Sequence, residues 1–203
     1  MHPEMNSLGR VILVTGPTRS GKSEWAENLA MQSGKAVIYV ATAEVDPTDK
    51  EWLLRIAQHR CRRPKDWVTL EVPHQLVETI AKVPPTSCLV IDSLGTWVAN
   101  LLEQDDTNWE ETVQNLLLSL QQVAGDVILV AEETGWGVVP AYPSGRTFRD
   151  RLGTLVRRLG AIADPVYLVT GGHVLNLSAL GSPLPSQSLI GICTEQLPPP
   201  WIQ

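Results

Sequence analysis

Short apolar runs recur along the chain, separated by longer stretches in which polar and apolar residues mix. Runs of four to six residues rich in Val, Ile and Leu are too short for an ordinary helix, and they predict strands buried on both faces of a sheet. The predicted strands are residues 11–15, 36–41, 88–91, 127–131 and 166–170. Residues 67–72 (WVTLEV) are a further strand candidate with more polar content.

The stretches between these runs have helical patterning. A helix is predicted at residues 23–32 with Gly34 as its stop, and others at residues 47–60, 74–82, 109–123 and 147–163. Residues 143–145 (Pro-Ser-Gly) are predicted to form a turn before the last helix. Strands that alternate with helices predict an α/β fold with a mostly parallel central sheet, and right-handed crossovers place helices on both faces.

The length of the chain favours one domain followed by a tail. Its 203 residues suit a single domain, and a hydrophobic content of 43% supports a packed core. We assign residues 1–177 to the domain. Between residues 176 and 203 the only charged side chain is Glu195, and five prolines occur there. Residues 178–203 are therefore predicted to be a proline-rich, extended tail with a short strand at residues 189–193.

Charge and cysteine content exclude several classes of protein. The net charge of −6 and pI of about 5.2 argue against a nucleic-acid partner, because nucleic-acid-binding domains are usually basic. Cys61, Cys88 and Cys193 form no CxxC pair, so neither a disulfide framework nor a zinc site is expected. The N-terminus lacks a secretory stretch, and no apolar run approaches the ~18–20 residues that span a bilayer. We expect a cytoplasmic protein without stable membrane insertion.

A phosphate-binding loop is the strongest motif. The string GPTRSGKS fits G-x-x-x-x-G-K-[ST] in full, between a predicted buried strand and a predicted helix. Backbone N–H groups of such a loop converge on phosphate oxygens, and the helix N-terminus adds a positive dipole end. A chance match is the alternative, but motif and context agree. The predicted nucleotide-binding residues are Gly16, Pro17, Thr18, Arg19, Ser20, Gly21, Lys22 and Ser23.

Two residues of this region are assigned specific tasks. Lys22 is predicted to contact the β- and γ-phosphates as a catalytic cation, and Ser23 to hold Mg²⁺. Asp92 ends another buried strand, where an acid completes the Mg²⁺ site of P-loop proteins. The alternative for Asp92 is a helix cap or turn residue; we favour the metal-binding role.

A second segment places one histidine among cations. His59 is surrounded by Arg55, Arg60, Arg62, Arg63 and Lys65. Guanidinium groups match phosphate geometry, and a cationic cluster lowers the pKa of a neighbouring imidazole, which keeps it neutral and nucleophilic. A solvated helix end with cations near its C-terminus is an equally good interpretation of the spacing alone.

The joint pattern resembles the bifunctional adenosylcobinamide kinase / adenosylcobinamide-phosphate guanylyltransferase family of cobalamin biosynthesis. The resemblance extends from about residue 10 to residue 177. It rests on TGPTRSGKS (15–23), YVATA (39–43), DSLxxWVxNLL (92–102), ExGxGVVP (133–140), RxFRD (146–150), and Arg55, Ile56, His59, Arg60, Arg63, Pro64, Trp67, Thr69 and Glu71.

The resemblance implies a RecA-like P-loop fold, a homotrimer and a two-step transferase. ATP or GTP would phosphorylate adenosylcobinamide, and GTP would then donate GMP to the adenosylcobinamide phosphate through a GMP adduct of His59. Charge on the transferred groups would be neutralised by Lys22, Mg²⁺ and arginines of the His59 segment. The implied nucleotide-lining residues are Thr42, Ala43, Glu44, Arg60, Cys61, Arg62, Arg63 and Glu71.

Two positions depart from the family pattern. The family usually has Asn-Glu where this chain has Glu132-Glu133, and an Asn where this chain has Val156. An extra carboxylate beside phosphates repels them unless a metal or a lysine compensates.

Three other classes of protein remain open. A P-loop small-molecule kinase, or a GTP-binding protein that has lost one activity, explains the loop and Asp92 but leaves His59 without a role. A regulatory nucleotide-binding protein would bind GTP without releasing pyrophosphate. A RecA-type nucleic-acid ATPase is disfavoured by the acidic pI and by the lack of a basic, aromatic strand-binding stretch.

Overall fold

The protein is described here by a computed structural model covering residues 8–184, with side chains described for all of these except Trp52 and Arg55. The strands in this range are β1 (Val11–Gly16), β2 (Ala36–Ala41), β3 (Val68–Glu71), β4 (Ser87–Asp92), β5 (Asp126–Glu132), β6 (Val166–Thr170) and β7 (His173–Asn176). The helices are α1 (Lys22–Gln32), α2 (Lys50–Arg62), α3 (Leu76–Ile80), α4 (Leu94–Asn100), α5 (Asp106–Gln122), α6 (Pro143–Gly160) and α7 (Leu177–Leu180).

All seven strands form one sheet in the order β3-β2-β4-β5-β1-β6-β7. Every neighbouring pair is parallel except β6 and β7, which are antiparallel. The predicted α/β class with a mostly parallel central sheet is confirmed. Because parallel strands all end at the same edge, β1, β2, β4 and β5 present their last residues side by side.

The core has two halves because successive residues of a strand face opposite sides of the sheet. Val11 and Leu13 belong to a large apolar cluster with residues of α3 to α6. Ile12 and Val14 belong to a second cluster that includes Ala26 and Ala30 of α1. The prediction of helices on both faces is therefore confirmed.

Several local features differ from the sequence expectation. The turn predicted at residues 143–145 is wrong: Pro143 begins α6 after the cap residue Tyr142, since the first helical position needs no backbone N–H and proline fits there. The short helix α4 was not predicted, although Ser93 and Thr96 form a capping box at its start. Strand β7 was also not predicted, although the Gly171-Gly172 turn before it is a hairpin signal.

Helix α7, at the start of the predicted extended tail, was not predicted either. Helix α7 packs beside β6, and the Ser178 hydroxyl accepts a 3.0 Å hydrogen bond from the Val166 amide. The short strand predicted at residues 189–193 lies outside the described residues. Over residues 8–184, no helix combines the length and apolar character needed to cross a bilayer.

Candidate nucleotide-binding and catalytic site

The carboxyl edge of the sheet brings the predicted phosphate loop and the predicted metal ligand together. Gly16, at the end of β1, is in register with Glu132, at the end of β5. Ala41, at the end of β2, is in register with Asp92, at the end of β4. Since β5 lies between β1 and β4, Glu132 emerges between the loop and Asp92.

The loop has the backbone geometry of a phosphate cradle. Gly16 is packed so closely that an added Cβ would lie 2.3 Å from the Val169 carbonyl oxygen and 2.7 Å from Ser20 Oγ. Gly21 has φ of 92° and Arg19 has φ of 60°, and left-handed residues within a turn let successive N–H groups point inward. The buried Lys22 begins α1, and its ammonium donates a 3.4 Å hydrogen bond to the Pro17 carbonyl.

Two adjoining cavities meet at Lys22, Ser23 and His59. The larger, of about 500 Å³, lies between the phosphate loop and α2, which contributes Leu54, Gln58, His59 and Arg62. The smaller, of about 130 Å³, contains Asp92 and Glu132, together with Tyr39, Ala43, Ser93 and Thr96. The structure therefore brings the histidine of the cationic segment to the phosphate loop, across about 40 residues of sequence.

His59 is held between a carboxylate and a guanidinium. Its Nδ1 atom lies 3.9 Å from Asp92 Oδ2 and 3.3 Å from Arg62 Nη2, and its side chain is 33% exposed. The partial exposure leaves the ring accessible from the larger cavity. A ring at this position can approach a triphosphate bound by the loop.

Contacts with α1 and β2 fix α2 over the loop. Arg62 pairs with Glu24 at 3.0 Å and with Glu27 at 3.6 Å. Arg63 stacks over the Tyr39 ring, 3.8 Å from its centroid. Burial raises the pKa of the Glu27 carboxyl, and the neighbouring Arg62 opposes this rise. These contacts tie the segment that carries His59 to the element that carries the loop.

Asp92 and Ser23 are suited to a magnesium ion. They line the same cavity, and Mg²⁺ prefers a small number of hard oxygen ligands completed by water and phosphate oxygens. Among the described residues, no group of three or more Asp, Glu, His or Cys side chains could hold a metal by itself. The Tyr39 hydroxyl donates a 2.8 Å hydrogen bond to Asp92 Oδ2, which orients the carboxylate. Burial, and then the charge of Asp92, raise the pKa of Tyr39 far above its usual range, so this hydroxyl keeps its proton.

Glu132 is the additional carboxylate of this site. The Gly95 amide donates a 2.9 Å hydrogen bond to Oε2, and Oε1 lies 4.0 Å from Lys22 Nζ. Burial raises the pKa of Glu132, while the charge of Lys22 opposes the rise. The positive charge of Lys22 thus offsets the added negative charge of this carboxylate. The other departure, Val156, is partly buried and lines an open cleft that Glu132 also borders.

The other residues that were predicted to line the nucleotide do not all border the two cavities. The buried Thr42 donates to the Ser93 carbonyl at 2.6 Å, so its hydroxyl supports the start of α4. Glu44 pairs with His74 at 3.1 Å. Glu71 ends β3 and is exposed. Arg60, Cys61 and Thr18 are exposed and border neither of the two cavities.

Several site residues were not assigned a role from the sequence. Tyr39 could have been found because a tyrosine in a buried strand needs a partner for its hydroxyl. Ser93 and Thr96 carry a capping signal. Glu27 gives no sequence signal, because its contact with Arg62 depends on how α2 packs against α1.

A phosphate loop between the first parallel strand and the first helix of an α/β sheet defines the protein as a P-loop nucleotide-binding protein. Residues 12–177 match the family model described as cobinamide kinase / cobinamide phosphate guanyltransferase. The chain belongs to this family.

Curated relatives are similar over almost their whole length. The bifunctional adenosylcobalamin biosynthesis protein CobP of Pseudomonas aeruginosa is 40% identical over 174 residues, which cover 85% of this chain and 98% of the relative. The bifunctional adenosylcobalamin biosynthesis protein CobU of Escherichia coli K12 is 36% identical over 177 residues, covering 80% and 96%. Among solved structures, the Pyrococcus horikoshii OT3 protein PH0250 superposes with a TM-score of 0.53 at 6% identity, covering 84% of this chain and 86% of that one.

Proposed function

We propose that this protein carries out both reactions named in the family description, on a corrinoid substrate. It would phosphorylate the hydroxyl of adenosylcobinamide with ATP or GTP, and then transfer GMP from GTP to the resulting phosphate. The observation that carries this proposal is the position of His59, which borders both cavities together with Lys22 and Ser23. Phosphoryl transfer by a simple P-loop kinase does not require a histidine at that position.

The kinase step uses the loop and its surroundings. The loop amides and Lys22 would bind the β- and γ-phosphates and stabilise the charge that develops as the γ-phosphoryl group moves. Ser23 and Asp92 would hold Mg²⁺, which supplies additional positive charge to the phosphate oxygens when bound. Tyr39, through its hydrogen bond to Asp92, would keep that ligand in place.

The guanylyl step uses His59 as a nucleophile. A neutral ring nitrogen attacks the α-phosphorus of GTP, a P–N bond forms, and the bond to pyrophosphate breaks. An oxygen of the corrinoid phosphate then attacks the same phosphorus and displaces the imidazole. Arg62, 3.3 Å from Nδ1 of the ring, would neutralise charge on the transferred group.

For recognition of the guanine base, Glu71 offers a carboxylate that can accept hydrogen bonds from two N–H groups of the base. The remaining residues of the proposed nucleotide set are Thr42, Ala43, Glu44, Arg60, Cys61 and Arg63.

We also infer a cytoplasmic homotrimer. The segment before α6 exposes Trp136, Val138, Val139 and Tyr142, each at least 60% accessible. Apolar patches of this kind are characteristic of surfaces buried by assembly or by a ligand. In this proposal residues 1–177 carry both activities, and residues 178–203 contribute to neither.

The GMP–histidine adduct provides the test. Full-length protein is incubated with Mg²⁺ and GTP labelled at the α-phosphate, and the denatured protein is treated with acid or alkali. A phosphoramidate label is lost in acid and kept in alkali. We expect such a label on the wild type and on His173→Ala, which changes an exposed hairpin residue, but not on His59→Ala. An unlabelled wild type, or an equally labelled His59→Ala, would contradict the guanylyl mechanism and favour a GTP-binding protein or kinase that has lost this activity.

A further inference from the structure

The sheet order places Glu132 between the phosphate loop and Asp92. Strand β5 lies between β1, which leads into the phosphate loop, and β4, which ends at Asp92. The last residue of β5 therefore projects between Lys22 and the proposed metal ligand. A γ-phosphoryl group bound by Lys22 would be adjacent to the Glu132 carboxylate.

The backbone around Glu132 is shaped to hold its carboxylate. Gly95 has no side chain, and a Cβ there would lie 2.1 Å from Glu132 Oε2. In that space the Gly95 amide donates to Oε2 at 2.9 Å. One oxygen is thus anchored by main chain, while Oε1 faces the ammonium of Lys22 at 4.0 Å, beyond hydrogen-bond distance. This spacing leaves Oε1 directed at the place where the phosphate groups bind.

The kinase step requires a group that accepts a proton from the alcohol. When an alcohol oxygen attacks the γ-phosphorus, a new P–O bond forms and the bond to the bridging oxygen breaks, and the nucleoside diphosphate leaves with the electron pair. The O–H bond of the alcohol also breaks, and its proton needs an acceptor at hydrogen-bond distance. A carboxylate that is hydrogen-bonded in place and largely removed from water is suited to this task.

We propose that Glu132 is the catalytic base of the phosphoryl-transfer step and that its Oε1 takes the proton of the corrinoid hydroxyl. This inference rests on the kinase half of the proposed function. Burial raises the pKa of Glu132 and so makes its carboxylate more basic than an exposed glutamate, while the charge of Lys22 opposes this rise. Once Glu132 is protonated, it no longer repels the new phosphate ester.

The second reaction needs no such base. Its acceptor is a phosphate whose attacking oxygen is already ionised near neutral pH, so no proton has to be removed. The proposal therefore predicts that loss of the carboxylate affects one half-reaction and spares the other. A structural defect at the carboxyl edge of the sheet would affect both, because both use the same loop.

Glu132→Gln is the decisive variant, because an amide oxygen can still accept from the Gly95 N–H while it cannot take a proton. Full-length protein is assayed for γ-phosphoryl transfer to adenosylcobinamide and, separately, for GMP transfer from GTP to adenosylcobinamide phosphate supplied as substrate. We expect kcat of the kinase reaction to fall by at least about 10²-fold, with the nucleotide KM and the guanylyl reaction within about threefold of wild type. Glu78→Gln, which changes an exposed carboxylate of α3, should leave both reactions unchanged.

A second variant keeps the carboxylate and moves it. Gly95→Ala places a methyl group where Oε2 now lies, so it should slow the kinase reaction while sparing guanylyl transfer. An equal loss of both reactions in Glu132→Gln, or no loss of the kinase reaction, would overturn the assignment of the base. A wild type that transfers GMP but does not phosphorylate adenosylcobinamide would instead overturn the kinase half of the proposed function, and this inference with it.

Discussion

His59 Nδ1 lies 3.9 Å from Asp92 Oδ2, so the proposed GMP carrier and the proposed magnesium ligand lie side by side in the lining of the small cavity. The two residues come from different elements, α2 and β4. Their proximity means that one bound triphosphate could reach both the metal-binding oxygens and the nucleophile. The predictions below concern the parts of the molecule that create this arrangement.

The ammonium of Lys22 should be required for both reactions. It is buried beside the loop, where it would stabilise charge on phosphate oxygens in either transfer. We expect Lys22→Ala to lower kcat of both reactions by at least about 10²-fold, measured with saturating nucleotide. Lys82→Ala removes an exposed lysine and should have no effect. Near-normal turnover of Lys22→Ala would exclude the phosphate cradle as the active site.

The pair of Tyr39 and Asp92 should set the requirement for Mg²⁺. Asp92→Asn removes a ligand charge, so the Mg²⁺ concentration for half-maximal turnover should rise by at least about 10²-fold. Tyr39→Phe removes only the hydroxyl that orients Asp92 and keeps the ring beneath Arg63; it should raise that concentration by about 10-fold. A magnesium titration of turnover measures both, with Tyr167→Phe as the control, since Tyr167 lines neither cavity. An unchanged magnesium requirement in Asp92→Asn would contradict its role as a ligand.

Two glycines should respond to alanine in opposite ways. In Gly16→Ala the new methyl group would meet the Val169 carbonyl at 2.3 Å, so we expect a loss of about 1–3 kcal/mol in the free energy of unfolding and weakened nucleotide binding. Gly153 lies on the exposed side of α6 with no atom within 4 Å of an added Cβ. Gly153→Ala should stabilise the fold by about 0.5–1 kcal/mol. Urea unfolding and calorimetric titration with GTP test both, and a neutral Gly16→Ala would refute the close packing of the loop.

Glu27 should make stability depend on pH. Burial raises the pKa of its carboxyl above the ordinary value of 4.5, so the native state holds this proton more tightly than the unfolded chain. The stabilisation from this proton is complete below the ordinary value and is lost as the pH rises through the raised one. Glutamine does not titrate, so Glu27→Gln should become more stable relative to wild type between about pH 4 and about pH 7.

Urea unfolding of both proteins at the two pH values measures this difference. Glu24→Gln removes the exposed partner of the same Arg62, and it shows how much of any change comes from the ion pair alone. A difference between wild type and Glu27→Gln that stays constant, or that changes in the opposite direction, would contradict the raised pKa.

The local sequence identified the strands that carry the site. Apolar runs predicted five of the six parallel strands, and β3 was a candidate with more polar content. The predicted Lys22 and Asp92 lie at the carboxyl edge of the sheet as expected. The hairpin strand β7 was missed because the buried apolar pattern ends with the preceding run, at residues 166–170. Helix α4 was missed because its seven residues are too few for a clear helical period.

The phosphate loop, the parallel sheet and the acid at the end of β4 could all be predicted from local sequence, because each depends on neighbouring residues and on a repeating pattern of burial. Three features needed the folded chain: β5 lies between β1 and β4, Glu132 faces Lys22, and Arg62 holds α2 against Glu24 and Glu27. The order of strands and the docking of a helix follow from packing between residues far apart in the chain, and no local pattern records that packing.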